Sequence, residues 1–193
     1  MYSEDMSTRT RLVNATQELL WERGYAATSP KDILQRAGAG QGSMYHHFAG
    51  KQDLASAALE ESAAMMRADV DILLTGEGSP LDRVIAYLER QRDSLRGCRM
   101  GRMTYDADVL ATPELLRPVA ETLQWVVATV TTVISRGIEE HEFPEGTDAH
   151  QLASMVVATV QGGYVLARAQ QDPAAFDAAV DGAAGLLRSW SRR

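Results

Sequence analysis

The chain has one cysteine, two lysines, 6% aromatic residues and no long uninterrupted apolar run. With Cys98 as the sole thiol no intrachain disulfide can form, which excludes a stapled secreted scaffold and suits a reducing, cytoplasmic setting. The most apolar stretches, 126–134 and 152–167, are broken by Thr129, Thr131, Thr132, Gln161 and Gly162, so neither is expected to form the roughly 20-residue span of a membrane helix, and no membrane partner is expected. The start, MYSEDMSTRT, has no apolar run after a basic region and reads as a disordered tail over 1–7, not a signal peptide. Strand signals are nearly absent too. What remains, 45% hydrophobic and 23% charged over 193 residues, is the composition of a globular helical protein large enough to bury a substantial core.

The net charge of -7 argues against indiscriminate nucleic-acid binding, yet its distribution matters more than its sum. Both lysines, Lys31 and Lys51, fall in the first third with Arg9, Arg11, Arg23 and Arg36, whereas Glu139, Glu140, Glu142 and Glu145 crowd a later segment.

Helix signals recur from end to end. Ser29-Pro30-Lys31-Asp32 and Ser79-Pro80-Leu81-Asp82 each read as an N-cap serine, a proline at the first helical position and an acid at the third, the acidic form of a capping box. Thr112-Pro113-Glu114 and Asp172-Pro173 are weaker starts, and Gly24, Gly38, Gly97 and Gly137 are expected stops. The spacing predicts an all-α fold of about nine helices. The first, near Thr8 to Gly24, is amphipathic, with Leu12, Ala15, Leu19 and Leu20 on one face. Short helices follow at Pro30 to Ala37 and from Gln41 to Phe48, joined only by Gly38-Ala39-Gly40, and a longer one runs from Lys51 to about Leu74. Residues 113–137 keep helical spacing despite β-branched residues, and length decides for helix. The 147–171 segment is apolar on nearly every side, and the last helix has a second side of Ala174, Ala175, Ala178, Gly182 and Gly185. These extra faces fit either an isologous homodimer or a single deep core.

Two short helices joined by a glycine-containing turn form a helix-turn-helix, whose second helix offers its N-terminal residues to the major groove of double-stranded DNA. Gln41 donates and accepts at once, as reading an adenine edge requires; Ser43 is shorter and discriminates less. Gly42 lets backbone N–H groups approach a phosphate, and Tyr45 and His46 follow on the same helix. Lys51, opening the next helix, is the expected phosphate clamp, with Thr28 and Ser29 in a similar role at the second helix. Phe48, Ile33, Leu34, Ala37 and Met44 are expected to fill the small core. His46 and His47 are adjacent, so they point different ways on a helix, and no metal site is expected.

The run ATSPKDILQRAGAGQGSMYHHFAGKQDL, from Ala27 to Leu54, resembles the TetR family of one-component transcriptional regulators. The resemblance spans about Thr8 to Leu59 and is carried by Gly24, Tyr25, Thr28, Asp32, Ile33, Ala37, Gly38, Gly42, Tyr45, His47, Phe48, Lys51 and Leu54. It implies a helix-turn-helix DNA-binding domain over 8–52 and a helical ligand-binding and dimerisation domain over 53–193. It also implies a packing role for His47. The sequence departs from the family pattern at Ala39-Gly40, where Val-Ser usually precedes the recognition helix. Gly97-Cys98-Arg99-Met100-Gly101 is similar to the Gly-Cys-x-x-Gly turn of the subgroup typified by the LmrA and YxaF regulators. Function expected from this resemblance is a homodimeric repressor on a palindromic operator, released by a small-molecule effector, with no cofactor.

Tyr87, Met100, Met103, Tyr105, Trp125, Met155 and Tyr164 are expected to line the effector cavity, and as a set they favour an apolar or aromatic ligand. The alternatives are a helical enzyme using Glu139 to Glu142 with His141 or His150, and a small-molecule binder without specific DNA binding. No nucleophile, base and orienting group can be assigned, and the paired Glu-x-x-His motifs of a carboxylate-bridged metal bundle are missing.

Overall fold

The computed structural model describes residues 7–190. Among these residues the chain is all-helical: α1 (Thr8–Arg23), α2 (Pro30–Ala37), α3 (Gln41–His47), α4 (Lys51–Thr75), α5 (Pro80–Glu89), α6 (Arg99–Met103), α7 (Ala107–Ala111), α8 (Pro113–Glu139), α9 (Ala149–Gln170) and α10 (Ala174–Trp190). The spacing of sequence signals missed one helix because α6 and α7 are five residues each, too short to show a period. Most of the expected tail lies outside the described residues. Ser7 does not belong to it: its hydroxyl caps α1 by accepting from Thr10 N.

Both serine-proline starts form as read. Ser29 Oγ accepts from Asp32 N at 3.2 Å while the Asp32 carboxylate accepts from Ser29 N at 3.0 Å, and Ser79 and Asp82 repeat the arrangement before α5. The Ser29 hydroxyl also donates to Asp32, and these bonds hold the Asp32 carboxyl below its ordinary value. Ser29→Ala should therefore lower stability by about 1 kcal/mol. It should also return the Asp32 titration towards the ordinary carboxylate range, read by NMR. Because the folded value is depressed, the part of the cap that the Asp32 carboxylate contributes is present above the ordinary carboxylate pKa and is lost as pH falls through the depressed one.

The chain divides into two compact units. One reaches Ala64 and takes in Arg99–Glu121; the other is made of Met65–Cys98 and the chain from Thr122 onward. In the first, α1 to α3 and the start of α4 close over Leu12, Leu19, Ile33, Met44, Phe48 and Leu54, all buried. Leu34 departs from expectation: it is only half-buried. The Arg99–Glu121 segment is fastened to α1 and its following turn. Arg99 pairs with Glu18 at 2.7 Å and lies over the Trp21 ring at 4.0 Å, and the Asp106 carboxylate accepts from Ala26 N at 2.9 Å.

The second unit packs α5 and α10 together and α9 against α10. Its core includes Val84, Leu88, Val126, Val130, Ile134, Val156, Val160, Val180 and Leu187. The Phe143 ring lies against Gly137, which sits inside α8 and does not stop it: a Cβ there would come within 2.5 Å of the ring. Glycine at this position makes room for the aromatic side chain. By length and composition α9 is apolar enough to cross a membrane, contrary to expectation. In this fold it buries Leu152, Val156, Val160 and Ala167 on one face and exposes Met155, Val165 and Leu166 on another.

Candidate nucleic-acid interface

The surface is built by the turn between α2 and α3. Gly38 closes α2 in the left-handed region at φ +58°, a conformation that side-chain-bearing residues rarely adopt, and this lets the chain reverse within three residues. Gly40 is the N-cap of α3 in extended backbone and supplies no side-chain cap; the Ser43 N–H donates to the Gly40 carbonyl at 3.1 Å, which leaves the Gln41 and Gly42 N–H groups at the helix start to face an anion. One side of α3 is anchored by Met44, fully buried, and by Phe48 at its C-cap. That fixes which side faces out: Gln41, Gly42, Tyr45 and His46 are exposed and Ser43 is half-buried.

Gln41 and Tyr45, four residues apart, share a helix face. With Ser29, Lys31 and Gln35 of the α2 region they line an open groove of about 790 Å³ floored by Met44. Tyr45 keeps 55% of its surface exposed, a large aromatic side chain left in water beside the helix N-terminus. Gly42 has open space where a Cβ would project, so no protein packing accounts for a glycine there.

Lys51 stands at the first position of α4 with its ammonium 3.9 Å from the centroid of the Tyr25 ring. Burial lowers its pKa, and the Asp106 and Asp108 carboxylates act in the opposite direction. Among neighbouring cations, Arg36 pairs with Glu22 at 2.7 Å and Arg23 lies 3.6 Å from Asp32.

Two expected residues are placed differently. Thr28 is 1% exposed and its hydroxyl donates to the Gly24 carbonyl at 2.7 Å, so it fixes the turn after α1 and offers no surface to a phosphate. His47 is exposed, not packed in the core, with its ring edge-on to His46 and Phe48. Among the described residues no group of three or more His, Cys, Asp or Glu side chains is arranged to hold a metal ion.

The residues expected around an effector separate. Met100 and Met103 are fully buried in the first unit, where Tyr105 is 77% exposed. In the second unit Trp125 packs beside the core and Met155 faces outward. Tyr87 lies under the Arg92 guanidinium, and Tyr164 is linked to the same guanidinium through the Phe176 ring; no sequence signal drew attention to Arg92. Three arginines, at 90, 92 and 96, follow α5, and the sequence does not show which one turns inward.

A short, outward-facing helix held on a small core by a glycine turn, with a cation at the next helix start, defines the chain as a helix-turn-helix DNA-binding protein. Bacterial regulatory proteins of the tetR family match residues 12–58, and the tetracyclin repressor-like C-terminal domain matches residues 81–183. The chain belongs to the TetR family of transcriptional regulators. It is 23% identical over 172 residues to the uncharacterized regulator YxaF of Bacillus subtilis, covering 86% of this chain and 87% of that one, in keeping with the LmrA and YxaF-like subgroup. It is 28% identical over 142 residues to the transcriptional repressor NemR of Escherichia coli K12, covering 69% of this chain and 70% of NemR. The crystal structure of a TetR regulator from Chloroflexus aurantiacus superposes with a TM-score of 0.84 at 28% identity, covering 94% of each chain. The family is one of DNA-binding regulators, and the helical-enzyme alternative is set aside on that ground.

Proposed function

We propose that the protein is a homodimeric cytoplasmic repressor that reads a palindromic operator through two copies of α3 and is released by a small apolar or aromatic effector. The observation that carries this reading is the exposed Gln41, Gly42, Tyr45 and His46 face beside the uncapped α3 N-terminus. Seven residues of helix reach few base pairs, so a second half-site about one helical turn away multiplies specificity, and a two-fold protein then requires a two-fold operator. Support for the second copy comes from α9 and α8. Met155, Val165 and Leu166 are exposed on α9, and Leu123, Val127, Ala128 and Ser154 line an apolar groove of about 570 Å³ in the same unit.

Base and phosphate contacts are assigned to Ser29, Gln41, Gly42, Ser43, Tyr45, His46 and Lys51, with Thr28 reserved for the turn. Release follows if the effector binds better to the conformation in which the two recognition helices are wrongly spaced, with α4 as the element that moves.

Lys51→Ala should weaken binding about equally for all DNA sequences and reduce the salt slope by about 1. Gln41→Ala should instead change preference at one base position, with a discrimination loss of about 1–3 kcal/mol. Both are measured by fluorescence anisotropy on operator variants at several salt concentrations. Identical preference profiles for Gln41→Ala and the parent would contradict the base-reading assignment.

A further inference from the structure

Arg92 follows the end of α5 and turns back over it. One guanidinium nitrogen donates to the carbonyls of Leu88 at 2.9 Å and Arg90 at 2.8 Å, and the other donates to the Tyr87 carbonyl. The same guanidinium lies 5.3 Å from the centroid of the Tyr87 ring and 5.8 Å from that of Phe176. Neighbouring cations have carboxylates: Arg90 pairs with Asp69 at 2.6 Å and Arg188 with Glu89 at 2.8 Å. Arg92 has none among the described residues; the groups that act on it are Tyr164, Tyr87, Arg90 and Cys98. The carbonyl end of α5 offsets part of its charge, equivalent to about half an elementary charge. A mostly buried guanidinium without a carboxylate is nonetheless rare, because burying an uncompensated charge is costly.

Its surroundings are apolar and rich in donors. The Tyr164 and Phe176 rings pack at a tilt of 39° with centroids 4.9 Å apart, and Gly163 lets Phe176 lie close, since a Cβ there would meet the ring at 2.9 Å. Burial raises the Tyr87 pKa to about 12 and pushes that of Tyr164 up as well, so both phenols are protonated donors at neutral pH. A guanidinium and two phenol hydroxyls among aromatic rings complement a planar aromatic group that ends in a carboxylate. A cationic ligand would be repelled by Arg92, and a metal ion would find no carboxylate in the cluster.

We propose that Arg92, Tyr87 and Tyr164 form an anion-recognition site in the second unit that selects an aromatic carboxylate. This rests on the effector-responsive reading above and adds the charge of the effector to it.

The test uses the full chain in isothermal calorimetry, with benzoate, 2-naphthoate and 9-anthroate, each beside its neutral primary amide. At least one carboxylate should bind about tenfold or more tightly than its amide, the range expected of a charge-assisted hydrogen bond. Arg92→Gln should remove that preference. Because this variant also loses three carbonyl contacts, Tyr164→Phe, which keeps the ring, serves as the second variant and should weaken the carboxylate several-fold while leaving the amide unchanged. Equal binding of every acid and its amide, or an undiminished acid preference in folded Arg92→Gln, would overturn the site. Anisotropy on DNA separates the two readings. Carboxylate recognition by a protein that prefers no DNA sequence would overturn the regulator and leave the site standing; specific DNA binding without carboxylate preference would do the reverse.

Discussion

Met44→Ala should lower stability by about 2–5 kcal/mol and abolish sequence-specific DNA binding. Met44 is fully buried and is the buried anchor within α3, a helix of seven residues. So short a helix has no stability of its own in water and depends on packing. Truncating the side chain leaves a cavity under the groove lined by Gln41 and Tyr45, and few contacts remain to orient that face. Against a typical total stability of about 5–15 kcal/mol the loss is large. Urea unfolding followed by circular dichroism reads the stability, and anisotropy on the preferred duplex reads the function. Parent-like DNA affinity in Met44→Ala would show that α3 is held by something other than its buried side.

The second large effect is expected at Gly137→Ala. The added Cβ would lie 2.5 Å and 2.6 Å from two Phe143 ring carbons and 3.0 Å from Pro80 Cβ. Phe143 is itself buried, so its ring cannot swing into solvent to relieve the contact. Overpacking costs about 1–3 kcal/mol, whereas the better helix propensity of alanine returns at most about 1 kcal/mol. The midpoint of thermal unfolding should therefore fall. Phe143→Leu in the Gly137→Ala background should restore part of the loss by withdrawing the ring, a coupling that a double-mutant cycle measures. An unchanged midpoint in Gly137→Ala would contradict the close approach.

Gly137 also shows where sequence reading ends. A glycine inside an amphipathic pattern reads as a stop because only local signals are visible, while its cause is a ring six residues later that folds back onto α8. The Ser29 and Ser79 starts were legible for the opposite reason: hydroxyl, proline and acid all act within four residues. The exposed side of α3 is legible through the same short-range logic, since Gly38 fixes the turn and burial of Met44 then decides which side of α3 faces water. Thr28 was misjudged because a hydroxyl beside a helix start satisfies either a phosphate or a carbonyl, and only the fold shows that the Gly24 carbonyl takes it. The effector set was the least legible. Methionine and aromatic types mark apolar surroundings without saying which residues meet; Tyr87 packs on Arg92 and Tyr164 on Phe176 beside it, around a cation that the sequence hides among three arginines, whereas Tyr105 stays in solvent.

The most direct test of the central claim is selection of bound duplexes from a random DNA pool with the purified protein, followed by anisotropy on the enriched sequence at two salt concentrations. An inverted repeat with half-sites about one helical turn apart should be enriched, and it should be bound more weakly at the higher salt. A folded protein that enriches no sequence, or that binds all duplexes alike, would contradict that claim.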